Sequence, residues 1–194
     1  MKNSACHGTS TQRNHQGAYT LIIRSGQARR ITIGRHLSVT LERGLYLYTG
    51  SALGRGSTSL EWRFSRHLSQ EKKHFWHIDR ILSSDSVRLI SAIVTKTTGK
   101  VECKVNTALL EDSSVRVLAK GIGSSDCRCE SHFLITKCGL DVLQRKVRSC
   151  YASLGLHPYV LKDFGTHGLR IHSTIRGARA EDYRSTDSNA LIKC

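Results

Sequence analysis

The stretch Gly44-Leu45-Tyr46-Leu47-Tyr48-Thr49-Gly50-Ser51-Ala52-Leu53-Gly54, with the segment Ser57 to Gln70 behind it, decides the fold. Leu45 to Thr49 carries the aromatic and β-branched residues that favour a strand, and Gly50 and Gly54 predict a tight turn after it. A helix is expected next, because Leu60, Phe64 and Leu68 recur every four residues and form an apolar stripe that needs a core to face. At about 100° per residue, Arg63 and His67 flank that stripe, Glu61, Ser65 and Ser69 point away from it, and Arg66 falls on the solvent side. Two readings of Arg63 and His67 stand open: a phosphate-holding corner, or an arginine lying along the core rim beside an ordinary boundary histidine.

Working outward, Gly17-Ala18-Tyr19-Thr20-Leu21-Ile22-Ile23-Arg24 is apolar on both faces, which predicts a central strand. Ser25-Gly26-Gln27 reads as a turn. Ala28 to Ile33 and Leu37 to Leu41 alternate apolar and polar residues across Gly34-Arg35, as a β-hairpin or two short edge strands would, so the sheet is expected to be antiparallel. Downstream, Trp76 and His77 lead into a short helix carrying Ile78, Ile81 and Leu82 inward, and Val87 to Thr95 is a further strand. Lys100 to Asp112 has helical spacing, with Glu102 and Asn106 one turn apart beside the stripe of Val101, Val105, Ala108 and Leu109. Ser131 to Thr136 reads as a strand and Leu140 to Leu154 as an amphipathic helix bearing Arg145, Lys146 and Arg148. Residues 1–16 are polar and read as a disordered tail, and from Phe164 onward the chain is expected to be loose. The predicted class is α+β, a small antiparallel or mixed sheet flanked by helices.

At 194 residues the chain suits one folded unit with tails. Thirty Lys and Arg against fifteen Asp and Glu give a formal charge of +15, which draws polyanions. Nucleic acid is the leading partner on that ground, and a charge serving only solubility is the plain alternative. Seven cysteines and an N-terminus without an apolar leader argue against export to an oxidising space and for reduced thiols. No apolar run approaches the about 18 residues of a membrane span. A cytoplasmic location with no membrane partner is expected.

Taken in order, Gly17-Ala18-Tyr19, Tyr48-Thr49-Gly50, Arg63 with His67 four residues on, and Glu102 in a later helix resemble the GIY-YIG nuclease superfamily. More narrowly, Arg66-His67, Trp76-His77-Ile78-Asp79, Glu102-Cys103 and the run Gly123 to His132 look like its Uri-type endonuclease branch. The resemblance implies a GIY-YIG-like nuclease domain over 17–137, leaving 138–163 as a helical extension and 164–194 as a basic flexible tail. It also implies hydrolysis of a phosphodiester of DNA, with RNA as the alternative, in repair or processing. In that scheme Tyr19 takes or orients the proton of the attacking water and Tyr48 supports it. A phenol needs a cation to bring its pKa down from about 10. Arg63 would be that cation and would grip phosphate with its planar fork. His67 would bind phosphate or shuttle a proton, and Glu102 would hold one Mg²⁺ or Mn²⁺. Arg66, Lys72, Lys73 and His77 are the expected nucleic-acid contacts; Asp79 either lines the groove or pairs with an arginine. The 28 residues from Thr20 to Leu47 between the two tripeptides require an inserted hairpin. Asn106 is the available match for the asparagine that usually completes such a site.

A second constellation is Cys103 with Cys127-Arg128-Cys129 and His132. Three thiols and an imidazole suit a tetrahedral structural zinc, and buried free thiols are the other reading. Gly121 to Asp126 is either a phosphate-cradling loop or a turn. Two other functions follow if the chemistry is absent: a nucleic-acid-binding module with a structural zinc, or a thiol redox protein built on Cys127 and Cys129.

Overall fold

The structure is a computed structural model, and it describes residues 15–162, apart from 36 and 70, together with 164. The expected tails beyond them lie outside the described residues. The elements run β1 (Gly17–Ser25), β2 (Arg29–Thr32), β3 (Ser38–Leu41), β4 (Gly44–Ala52), a 3-10 turn (Gly56–Thr58), α1 (Leu60–Leu68), α2 (His77–Leu82), β5 (Val87–Lys96), α3 (Glu102–Leu110), β6 (Val115–Val117), β7 (Phe133–Thr136), α4 (Leu140–Ser153) and β8 (Pro158–Leu161). The class is α+β, as predicted.

Six strands form one sheet in the order β6-β7-β4-β1-β5-β8, with every neighbouring pair antiparallel. β1 lies inside it between β4 and β5, in line with its doubly apolar sequence. β2 and β3 pair as the expected hairpin, separate from the main sheet. Because successive strand residues face opposite sides, the sequence of β1 divides cleanly. Tyr19, Leu21 and Ile23 join Tyr46, Tyr48, Leu60, Phe64, Ile78 and Phe133 in one core, under α1, α2 and the hairpin. Ile22 joins Leu47, Ile93, Val105, Leu143, Val147 and Tyr151 in the other, under α3 and α4. The result is a sheet sandwiched between two helical layers. The described part of the expected helical extension, residues 138–162, supplies both α4, which covers this second face, and β8, which extends the sheet beyond β5.

Five local expectations are corrected. Gly50 does not turn the chain: β4 runs through it to Ala52, paired with β1 along its whole length. Glu61 does not face solvent. It is 2% exposed, and its carboxylate accepts the backbone N–H of His15 and meets the His15 ring at 2.5 Å. His15 and Gln16 therefore belong to the fold rather than to a tail, and Gln16 also accepts the Thr97 N–H. Arg66 is not on the solvent side but pairs with Asp79 at 2.8 Å. Phe164 packs against the first core. No helix among the described residues is long and apolar enough to cross a membrane.

Candidate functional site

Tyr19 sits opposite Gly50 in the β1/β4 register, and Tyr48 follows on the same face. A Cβ at position 50 would lie 2.8 Å from the Tyr19 ring and hydroxyl, so the glycine leaves the space in which the phenol crosses β4. A second glycine does the same for Tyr48. Gly123 has φ +73, a conformation that glycine adopts without strain, and a Cβ there would come within 2.7 Å of the Tyr48 ring.

α1 is capped by Ser59, whose hydroxyl accepts the Trp62 N–H, and its inner edge carries Arg63 and His67. The Arg63 guanidinium lies 3.9 Å from the centre of the Trp76 ring, a cation-π contact that holds it out over the sheet. His67 is 3% exposed, and its Nε2 is 2.9 Å from the Tyr19 hydroxyl, so it backs the tyrosine and is not among the residues that line the cleft described below. Burial pushes its pKa down to about 3, against the pull of Asp79, which keeps the ring neutral. Burial likewise pushes Tyr19 up to about 12. Arg63 pulls the phenol downward, as expected, but desolvation outweighs it. Burial raises Tyr48 as well. Both tyrosines are thus neutral phenols in the resting protein.

The strand β5 leads through Lys100 to the start of α3, which places Glu102 across from these groups. Tyr19, Tyr48, Arg63 and Glu102, together with Trp76 and Lys100, line one cleft of about 440 Å³. Within it Glu102 Oε2 and Arg63 Nε are buried without hydrogen-bond partners. An orphaned carboxylate oxygen facing a polar cleft suits a hard divalent cation, and an orphaned guanidinium N–H suits an anion. The participation of Trp76, Lys100 and Asp126 in this cleft was not legible from periodicity, since each lies in a loop or at an element boundary.

The four expected nucleic-acid contacts fare differently. Arg66 donates to Asp79 Oδ2 and to the Lys73 carbonyl, and Asp79 Oδ2 also takes the N–H groups of Phe75 and Trp76. Asp79 is therefore the arginine's partner and no groove wall. Lys72 is half-buried and donates to the His67 carbonyl, while His77 Nδ1 accepts the Gly123 N–H and so ties the 121–126 loop to α2. Lys73 remains exposed. Asn106 is 1% exposed and donates to the Ser131 carbonyl, holding the approach to His132 rather than facing the cleft.

On the cleft's far wall, one ligand atom from each of Cys103, Cys127, Cys129 and His132 lies within 4.8 Å of all the others, a cluster able to bind a metal ion. His132 Nδ1 donates to the Thr49 carbonyl at 3.2 Å. That bond leaves Nε2 as the free lone pair, 3.6 Å from the Cys127 sulfur and 3.8 Å from Cys103. A ligand histidine oriented by a backbone carbonyl is the arrangement metal sites use to fix tautomer and ring direction. Burial lowers the His132 pKa, so the ring is neutral and ready to coordinate. Burial and neighbouring thiols push Cys103 up to about 12, and burial raises Cys129, the reverse of the acidic thiol a redox dithiol requires.

Compared with known proteins, the chain matches no curated protein and no solved structure. Residues 18–156, which run from β1 to just past α4 and contain every residue of the cleft and of the cysteine cluster, match one family along their whole length. The chain belongs to the family described as the domain of unknown function DUF123.

Proposed function

We propose that this protein is a metal-dependent endonuclease of the GIY-YIG type, Uri-like branch, hydrolysing phosphodiester bonds of DNA, or of RNA, in the cleft of Tyr19, Tyr48, Arg63 and Glu102. The observation that carries the reading is the convergence of these side chains, from β1, β4, α1 and α3, on one polar cleft with an orphaned carboxylate oxygen. Arg63, held in place by Trp76, grips the phosphate oxygens and offsets the charge that builds on them. Tyr19 orients the attacking water; its hydrogen bond to His67 fixes the phenol's direction. Glu102 would hold Mg²⁺ or Mn²⁺, which when bound polarises a phosphoryl oxygen and offsets its charge. The cluster of Cys103, Cys127, Cys129 and His132 would hold a structural zinc, in keeping with its three sulfurs, one nitrogen and closed donor set.

Labelled branched and single-stranded DNA, incubated with the protein and Mg²⁺ or Mn²⁺, is expected to be cut. Arg63→Ala and Glu102→Gln should each lower the rate at least about a hundredfold, the size typical of losing one group that stabilises transition-state charge. Cutting that persists in both Tyr19→Phe and Arg63→Ala would remove the mechanism.

The raised phenols favour a second reading, a nucleic-acid-binding module that keeps the cleft without turnover. It predicts salt-sensitive binding with no cleavage under any metal.

A further inference from the structure

Phe75 is the most exposed large apolar side chain among the described residues, at 78%. Its backbone is anchored. The N–H groups of Phe75 and Trp76 both donate to Asp79 Oδ2, at 3.0 and 2.9 Å, and Arg66 holds that same oxygen. The phenyl ring meets Trp76 edge-on, with centroids 5.4 Å apart and planes at 89°, while Trp76 lines the cleft and carries Arg63. From the cleft outward the order is therefore guanidinium, indole, free phenyl face. The exposed charges next to it on 71–80 are Lys73 and Arg80 against Glu71, on a chain of charge +15. An exposed ring whose backbone is anchored by a buried carboxylate, next to a cleft that holds an arginine and on a strongly cationic chain, calls for a flat and polyanionic partner.

We propose that Phe75 is a stacking platform for an unpaired nucleobase beside the phosphate held in the cleft, and that the site therefore selects single-stranded or frayed nucleic acid over continuous duplex. Within a duplex both faces of each base are covered by its neighbours, so only an unpaired or terminal base can offer a face to the ring. Base–aromatic stacking tolerates any base, so the preference is for strandedness and not for sequence. The inference rests on the nucleic-acid reading of the cleft but not on turnover.

The test is fluorescence anisotropy of the full chain with three labelled probes of equal length: a single strand, its duplex, and a single strand made of abasic nucleotides. Ca²⁺ replaces Mg²⁺ to prevent cutting. The expected result is tighter binding of the base-bearing single strand than of the other two. Phe75→Ala should weaken that complex about tenfold, leave duplex and abasic strand within about twofold, and keep the salt slope, whereas Phe75→Trp keeps the affinity. Since the ring is exposed, the melting temperature of Phe75→Ala should match the wild type and exclude a folding defect. Equal binding of single strand and duplex, or a Phe75→Ala loss that is absent or the same on all three probes, overturns the platform and leaves the nucleic-acid reading standing. Failure of wild-type protein to bind any probe overturns both.

Discussion

Gly50 and Gly44 lie in the same strand, yet only one of them is spoken for. A methyl group at Gly50 would collide with the Tyr19 phenol, and at Gly44 it would meet nothing within 4 Å. Gly50→Ala should cost about 1–3 kcal/mol, as overpacking does, and Gly44→Ala should stay within about 0.5 kcal/mol, both read from urea midpoints. His67 makes a second residue-scale prediction. Its folded pKa is depressed to about 3 from the usual 6.5, so between those values the unfolded chain binds a proton that the folded one refuses. Stability should thus rise with pH across this window, by up to about 1.4 kcal/mol per pH unit, and be lost as pH falls. His67→Gln, which keeps a hydrogen-bonding group at the same place without titrating, should flatten that slope in urea titrations run from pH 3 to 7. The meeting of Tyr19 and Arg63 in one cleft was readable because short motifs carry them in order. The burial of Glu61 was not, since its partner His15 lies 46 residues away and no local pattern records the pairing.

Elements whose periodicity is self-contained were legible: the β2/β3 hairpin, α1 with its stripe, and α4 with Leu143, Val147 and Tyr151 turned inward. β6 and β8, three and four residues long, were missed because pairing with β7 and β5 makes them strands and their own sequence does not. The connection between α1 and α2 shows the same dependence on distant partners. Asp79, fully buried, anchors it through Arg66 and two backbone N–H groups. Asp79→Ala should destabilise by about 3–5 kcal/mol, because it strands the arginine and two donors at once, and differential scanning calorimetry should show the loss. A fall of under about 1 kcal/mol would mean that water replaces these bonds and that the connection is not held as described.

For the molecule as a whole, the sheet order joins two sites that the sequence keeps apart. Pairing of β4 with both β1 and β7 brings the tyrosines of the cleft beside the cysteine cluster, and His132 is hydrogen-bonded to Thr49, between Tyr48 and Gly50. Elemental analysis of the purified protein should find one zinc per chain, and Cys127→Ser should reduce it to a small residue. Stripping the ion should lower the melting temperature by at least about 5 °C, because binding confined to the folded state adds to stability. No zinc in a protein purified without chelator would return the cluster to free thiols. Glu102 and Cys103 are consecutive at the start of α3, so the carboxylate and the sulfur share one stretch of backbone. Under the proposed function, ligation of the thiols would set the aim of the acid, and scarcity of the ion held by sulfur would blunt the use of the one held by oxygen, though the two need never touch.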